Sequence, residues 1–190
     1  TKMRLAIMQP YLFPYIGYFQ LMASVDKFVL YDDVNFINRG WINRNTILVN
    51  GQAHLFTVPL KDASQNKLIN EIHLDEGQKW REKFLRTIEQ NYKKAPYFQE
   101  VTQVINSIIA HQVTKLSELI EYSFKCLSTY LGLTTEIVPT SEIYQNSHLK
   151  SQDRILDICK QEGATIYINA IGGVALYHKS AMRSVPGCRE

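Results

Sequence analysis

The sequence predicts an α/β fold in which a mostly parallel sheet is interrupted by a β-hairpin and a helical insertion. Three observations carry this: strand, helix and strand follow one another from Arg4 to Tyr31, the same order returns from Thr135 to Ile168, and an Asn50-Gly51 hairpin signal with three helical stripes lies between. With 190 residues and 45% of them hydrophobic, the chain can bury a sizeable core and matches the usual length of one unit, so residues 1–190 are read as a single α/β domain. No linker-like or repeated stretch argues otherwise.

Arg4 to Met8 is a short apolar run stopped by Gln9-Pro10, as a strand ended by a turn should be, because proline cannot donate to a sheet ladder. After Pro14, which suits a helix start, Ile16, Phe19, Leu21, Met22 and Val25 recur at near-helical spacing. Lys27 to Tyr31 is a second buried strand, and the βαβ order favours parallel pairing. Ile42 to Val49 and Ala53 to Val58 are β-rich runs joined by Asn50-Gly51. Helices are expected from Gln78 to Tyr92, where Trp80, Phe84, Leu85, Ile88 and Tyr92 form a stripe, then from Tyr97 to Ile109 and from Lys115 to Leu131, the last capped by Gly132. Thr135 to Val138 reads as a strand, Ser151 to Gln161 as a helix with Ser151 as N-cap and Gly163 as C-cap, and Thr165 to Ile168 as a strand.

Composition narrows the function classes. A net charge of +3 from 21 basic and 18 acidic residues gives no strong basic field, so nucleic acid is not an expected partner. No apolar stretch approaches the roughly 18 to 20 residues that span a bilayer, and the N-terminus lacks a secretory layout, so no membrane insertion and a cytoplasmic location are expected. Cys126, Cys159 and Cys188 show no Cys-x-x-Cys pairing, and His54, His73, His111, His148 and His178 show no metal-ligand spacing; no disulfide framework or dedicated metal site is expected.

Four constellations can carry chemistry. The first is the turn after the first strand, where Gln9, Tyr11, Tyr15, Gly17 and Tyr18 crowd with Pro10 and Pro14. The prolines stiffen the loop, Gly17 permits close approach to the backbone, and a helix start offers N–H donors to an anion. Tight-turn packing of core aromatics is the alternative. The second is Asp32-Asp33 after the second strand, able to bind Mg²⁺ with a phosphate, to act as general base or to orient a hydroxyl. Adjacent strand residues face opposite ways, so only one should face a site unless the strand has already ended.

The third constellation is Arg39, Trp41, Asn43 and Arg44, a set suited to phosphate or carboxylate contacts, ring stacking and hydroxyl recognition. The fourth is Asn169, Gly172, Gly173 and Tyr177, where paired glycines past a buried strand can free N–H groups for an oxyanion. Ligands of open α/β sheets bind at the carboxyl ends of strands, so all four are expected to share one crevice. No nucleophile motif of the Gly-x-Ser-x-Gly kind is present.

Met8-Gln9-Pro10, Pro14-Tyr15-Ile16-Gly17-Tyr18-Phe19-Gln20, Tyr31-Asp32-Asp33, the run from Arg39 to Asn45, and Tyr167-Ile168-Asn169 with Gly172-Gly173 together resemble the WbqC-like protein family. The resemblance runs from Arg4 to about Tyr177. It implies a role beside bacterial O-antigen and other surface-polysaccharide genes, for which glycine or acyl transfer to a sugar has been proposed.

Tyr15-Ile16-Gly17-Tyr18 also stands where nucleotidyltransferases and class I synthetases carry His-x-Gly-His, which makes the expected sheet Rossmann-like and nucleotidyltransferase-like. Tyrosines bind phosphates but supply no cation near neutral pH. The leading expectation is a transferase acting on a phosphorylated sugar or activated acyl donor, with Asp32 and Asp33 as catalytic residues and a nucleotide or nucleotide sugar with Mg²⁺ as the bound group. The alternatives are a non-catalytic assembly protein of the same pathway and a nucleotidyltransferase-like enzyme.

Overall fold

Arg4–Met8 forms β1 and Lys27–Leu30 forms β2, and they pair in parallel from Leu5 opposite Lys27 to Met8 opposite Leu30. A computed structural model describes residues 2–170 of the chain, which fall into two compact units. The first comprises the residues up to Gln9, Tyr15–Val34 and the described residues from Leu133 on; the second comprises Pro10–Pro14 and Asn35–Gly132. Among the described residues no helix is long and apolar enough to cross a membrane.

In the first unit, α1 (Ile16–Ala23) connects β1 to β2, and β7 (Glu136–Val138), α5 (Ser151–Glu162) and β8 (Ile166–Tyr167) follow later in the chain. The four strands are all parallel in the order β7-β2-β1-β8. Both faces of the sheet are covered, which is why its strands read as unbroken apolar runs. Leu5, Ile7 and Val29 join Ile155, Ile158 and Cys159 of α5 in one buried cluster. On the alternate positions Ala6, Phe28 and Leu30 are buried too, and the ring of Tyr18 from α1 lies 5.3 Å from that of Phe28.

A polar clamp ties β2 to α5. Lys27 Nζ donates to Glu162 at 2.6 Å, and the Tyr144 hydroxyl donates to the other oxygen of the same carboxylate at 2.6 Å. Burial alone would raise the Glu162 pKa, but the bonds from Lys27 and Tyr144 outweigh it and hold the carboxyl below its ordinary value. The bond to Glu162 raises Lys27, and burial pushes the Tyr144 phenol up, with its bond to Glu162 adding to the shift.

In the second unit, β3 (Arg44–Val49) and β4 (Gln52–Thr57) form the expected hairpin, closed by Asn50 and Gly51 with φ of 52° and 76°. Positive φ at both central residues is what the Asn-Gly pair supplies. Two-residue strands β5 (Leu60–Lys61) and β6 (His73–Leu74) then pair around a 3-10 turn at Ile69–Glu71. They are too short to leave a periodic signature in the sequence.

Helices α2 (Trp80–Tyr92), α3 (Phe98–Ala110) and α4 (Leu116–Leu131) follow where the apolar stripes predict them. Trp80, Phe84 and Ile88, four apart, are the buried face of α2. Gly132 and Gly163 end α4 and α5 at φ of 69° and 66°, as expected of left-handed caps. One cap differs from expectation. Lys150 takes the extended backbone an N-cap needs (φ −125°, ψ 153°), Ser151 is the first helical residue, and the Lys150 side chain makes no capping bond.

Candidate functional site

The sheet of the first unit grows outward from β1 in one direction, through β2 to β7, and then returns to place β8 on the other side of β1. The chain therefore reverses its direction of growth between β1 and β8. Parallel sheets leave a crevice at the carboxyl ends of the two strands that flank such a reversal, because their connections depart to opposite faces. Gln9 follows β1 there, and Asn169 follows β8 by two residues. The side-chain nitrogen of Asn169 is buried without an acceptor among the described residues. Such a donor is costly to leave unmatched, about 1–3 kcal/mol, which makes it a natural contact for an entering acceptor.

The start of α1 lies beyond the same strand end. Tyr15 is its N-cap, the Tyr15 side chain makes no capping bond, and the first turn contains no acidic residue. The two tyrosines of Tyr15-Ile16-Gly17-Tyr18 do different things. Tyr18 is buried and donates its hydroxyl to the Gln9 carbonyl at 2.6 Å, so it braces the strand end from below. Tyr15 is 65% exposed. Gly17 makes room for it: a Cβ built there would stand 2.2 Å from Cε2 of Tyr15. The space Gly17 opens is filled by the chain's own ring.

Asp32 and Asp33 stand beyond the end of β2, where the strand's alternation no longer separates them, and both are buried against the segment that follows β7. The Asp32 carboxylate accepts from Thr140 Oγ1 at 2.7 Å and from the Ser141 backbone N–H at 3.1 Å. Burial raises its pKa, and those two bonds oppose the rise. Asp33 accepts a short bond from Ser141 Oγ and is gripped by Arg154, whose Nη2 lies 2.6 Å from both carboxylate oxygens.

Arg154 is itself buried, 3% exposed, with Nε donating to Asn146 at 2.8 Å and its guanidinium 4.9 Å from the Tyr31 ring centre. Both oxygens of the Asp33 carboxylate are thus taken up by a buried guanidinium. The arrangement binds the ends of β2 and β7 to α5. Among the described residues no three His, Cys, Asp or Glu side chains cluster as a metal site.

Arg39, Trp41, Asn43 and Arg44 belong to the second unit, as does Tyr11. Asn43 is buried and donates to the Val58 carbonyl at 2.9 Å, while Val58 N–H returns a bond to Asn43. Arg44 folds back on its own loop, donating from Nε to the Gly40 carbonyl at 2.8 Å and from Nη2 to the Arg39 carbonyl, with its guanidinium 5.7 Å from the Trp41 ring centre. Arg39 and Trp41 remain exposed. The segment that contains Tyr11 is pinned alongside: Leu12 N–H donates to the Ile42 carbonyl at 3.0 Å and Asn45 Nδ2 to the Phe13 carbonyl at 2.5 Å. The structure thus joins two distant pieces of sequence, 10–14 and 39–45.

Gly172, Gly173 and Tyr177 lie outside the described residues. Thr140, Ser141, Asn146 and Arg154 were not expected in any site. A signal did exist for Arg154: it sits beside Ile155 and four residues before Ile158 on the buried side of a helix, where an unpaired arginine is not tolerated.

The model of the WbqC-like protein family matches residues 9–184, which takes in both units. The chain belongs to the WbqC-like protein family. A Mycobacterium tuberculosis (strain ATCC 25618 / H37Rv) protein described as uncharacterized, Rv1507c, is 32% identical over 168 residues, covering 87% of this chain and 71% of that protein. No solved structure matches. This WbqC-like chain thus shows the mixed α/β architecture its sequence predicts: a four-stranded parallel sheet, a separate antiparallel hairpin and five α-helices among the described residues.

Proposed function

We propose that this WbqC-like protein is a transferase of surface-polysaccharide assembly that holds a phosphorylated donor, such as a nucleotide-linked sugar, at the carboxyl ends of β1 and β8. The main support for the reading is the strand order β7-β2-β1-β8, whose reversal flanks Gln9 and Asn169. Two local features add to it: the buried amide of Asn169, unmatched among the described residues, and the start of α1, where the N-cap side chain makes no capping bond. In this reading the N–H groups of the first helical turn receive phosphate oxygens, Tyr15 lies over the ligand, and Asn169 reads an acceptor on it.

Asp32 and Asp33 are then positioning residues that fix the ends of β2 and β7, and the transferred group, aminoacyl (glycine) or acyl, is activated before it arrives. The reading puts the protein in the cytoplasm, where nucleotide-linked sugars are made. Nucleotidyl transfer is the weaker reading. The hydroxyl of Tyr18 is taken up by the Gln9 carbonyl, which leaves Tyr15 as the exposed phenol of the pair and no cation in the motif.

The test is a thermal-shift screen against nucleoside mono- and diphosphates, nucleotide sugars and acyl-coenzyme A. A dose-dependent rise in Tm with one phosphorylated class, reduced in Asn169→Ala, supports the reading. A flat response to every class removes it and leaves a non-catalytic assembly protein as the better account.

A further inference from the structure

The second unit contains a groove of about 400 Å³ between β4 and the N-terminal half of α2. Its volume falls in the range of small-molecule sites. Phe56 of the hairpin meets Phe84 of the helix with ring centres 4.2 Å apart, and Leu55 and Trp80 add apolar surface to a lining that also includes Thr57, Gln78 and Thr87. Leu55 is 49% exposed, so apolar surface is open to solvent along one side. Lys83 and His54 stand on the rim, and among the described residues no aspartate or glutamate lines the groove.

Two further observations mark the Trp80 wall. Its ring is held from outside by Arg81, whose guanidinium lies 4.8 Å from the ring centre and donates to the Ile109 and His111 carbonyls while pairing with Glu76. The indole N–H is nevertheless buried without an acceptor among the described residues, an unmet donor beside the groove. An occupant that is apolar along its length and negative at one end matches this wall and rim. A cation would meet Lys83, and a wholly polar ligand would leave the aromatic wall uncovered.

We propose that the groove between β4 and α2 is a binding site for an aliphatic carboxylate, its chain lying along the lining formed by Leu55, Phe56 and Phe84 and its head against Lys83. The site lies wholly within the second unit and does not depend on the function proposed for the first.

The chain's two tryptophans provide the readout. In a Trp41→Phe background, Trp80 emission is followed during titration with dodecanoate below its micelle concentration and, in parallel, with dodecyltrimethylammonium. Lys83→Glu and Leu55→Asp change exposed side chains, and circular dichroism checks their fold. The site predicts a saturable change with dodecanoate, about tenfold weaker for the cationic amphiphile and for Lys83→Glu, and lost in Leu55→Asp. Absence of saturation with dodecanoate overturns the proposal. So does an equal response to both amphiphiles or in both folded variants, which would mean apolar adsorption only.

Discussion

The hydroxyl of Tyr18 donates to the carbonyl of Gln9 at 2.6 Å, fastening the first turn of α1 to the end of β1. The neighbouring Tyr15 makes no such attachment and stands in solvent. Tyr18→Phe therefore leaves a partly buried carbonyl without its donor and should cost about 1–2 kcal/mol, whereas Tyr15→Phe should leave stability within about 0.5 kcal/mol of the parent. Urea unfolding followed by circular dichroism compares them. Equal losses would show that the two phenols are not divided in this way.

Asp33 and Arg154 form a buried ion pair, 7% and 3% exposed at their side chains. Removing one partner strands the other charge, so Arg154→Met and Asp33→Asn should each destabilise by about 3–5 kcal/mol. The double variant should lose much less than their sum, and a double-mutant cycle measures the difference. Additive losses would mean that the pair is not coupled.

The clamp of Lys27, Glu162 and Tyr144 sets a pH dependence. Glu162 is held below its ordinary value of 4.5 in the folded state, so the stability it contributes is present above that value and is lost as pH falls through the folded pKa. Lys27 is raised, and its contribution is present at neutral pH and lost only as pH rises through its folded pKa. Glu162→Gln should thus cost about 1–2 kcal/mol at neutral pH and progressively less toward acid. Asp32 acts with the opposite sign: its raised pKa means that stability falls as pH rises through the folded value. Unfolding free energies of parent and Glu162→Gln from acid to neutral pH check the slope, and a constant difference would contradict it.

Gly163 ends α5 at φ 66°, and an added Cβ would meet no atom of the described residues within 4 Å. Gly163→Ala thus isolates the backbone term, about 1–2 kcal/mol for a left-handed alanine, with a smaller loss for Gly163→Asn. Thermal unfolding of the two variants gives the ranking. A neutral Gly163→Ala would show that the cap is not held in this conformation.

The fold was legible wherever one physical signal dominated. Unbroken apolar runs marked β1 and β2, the Asn50-Gly51 pair marked the hairpin, and Trp80, Phe84 and Ile88 marked α2. What stayed hidden was set by contacts distant in sequence. Asp32 and Asp33 were visible as a chemical pair, but their partners Thr140, Ser141 and Arg154 lie more than a hundred residues away and belong to no motif. Tyr15 and Tyr18 look alike in sequence, and only packing distinguishes the exposed ring from the buried brace. Ser151 was misread because cap preference is weaker than the backbone path that gave Lys150 the extended conformation.

The central claim is that the end of β1 and the end of β8 together hold a phosphorylated ligand. Isothermal titration of the parent and of Asn169→Ala with the nucleotide or nucleotide sugar that gives the largest thermal shift tests it most directly. The account predicts saturable binding to the parent and a loss of affinity of about tenfold in Asn169→Ala, as expected for one buried hydrogen bond of about 1.4 kcal/mol, with the variant's fold intact. Binding of equal strength to both would contradict it.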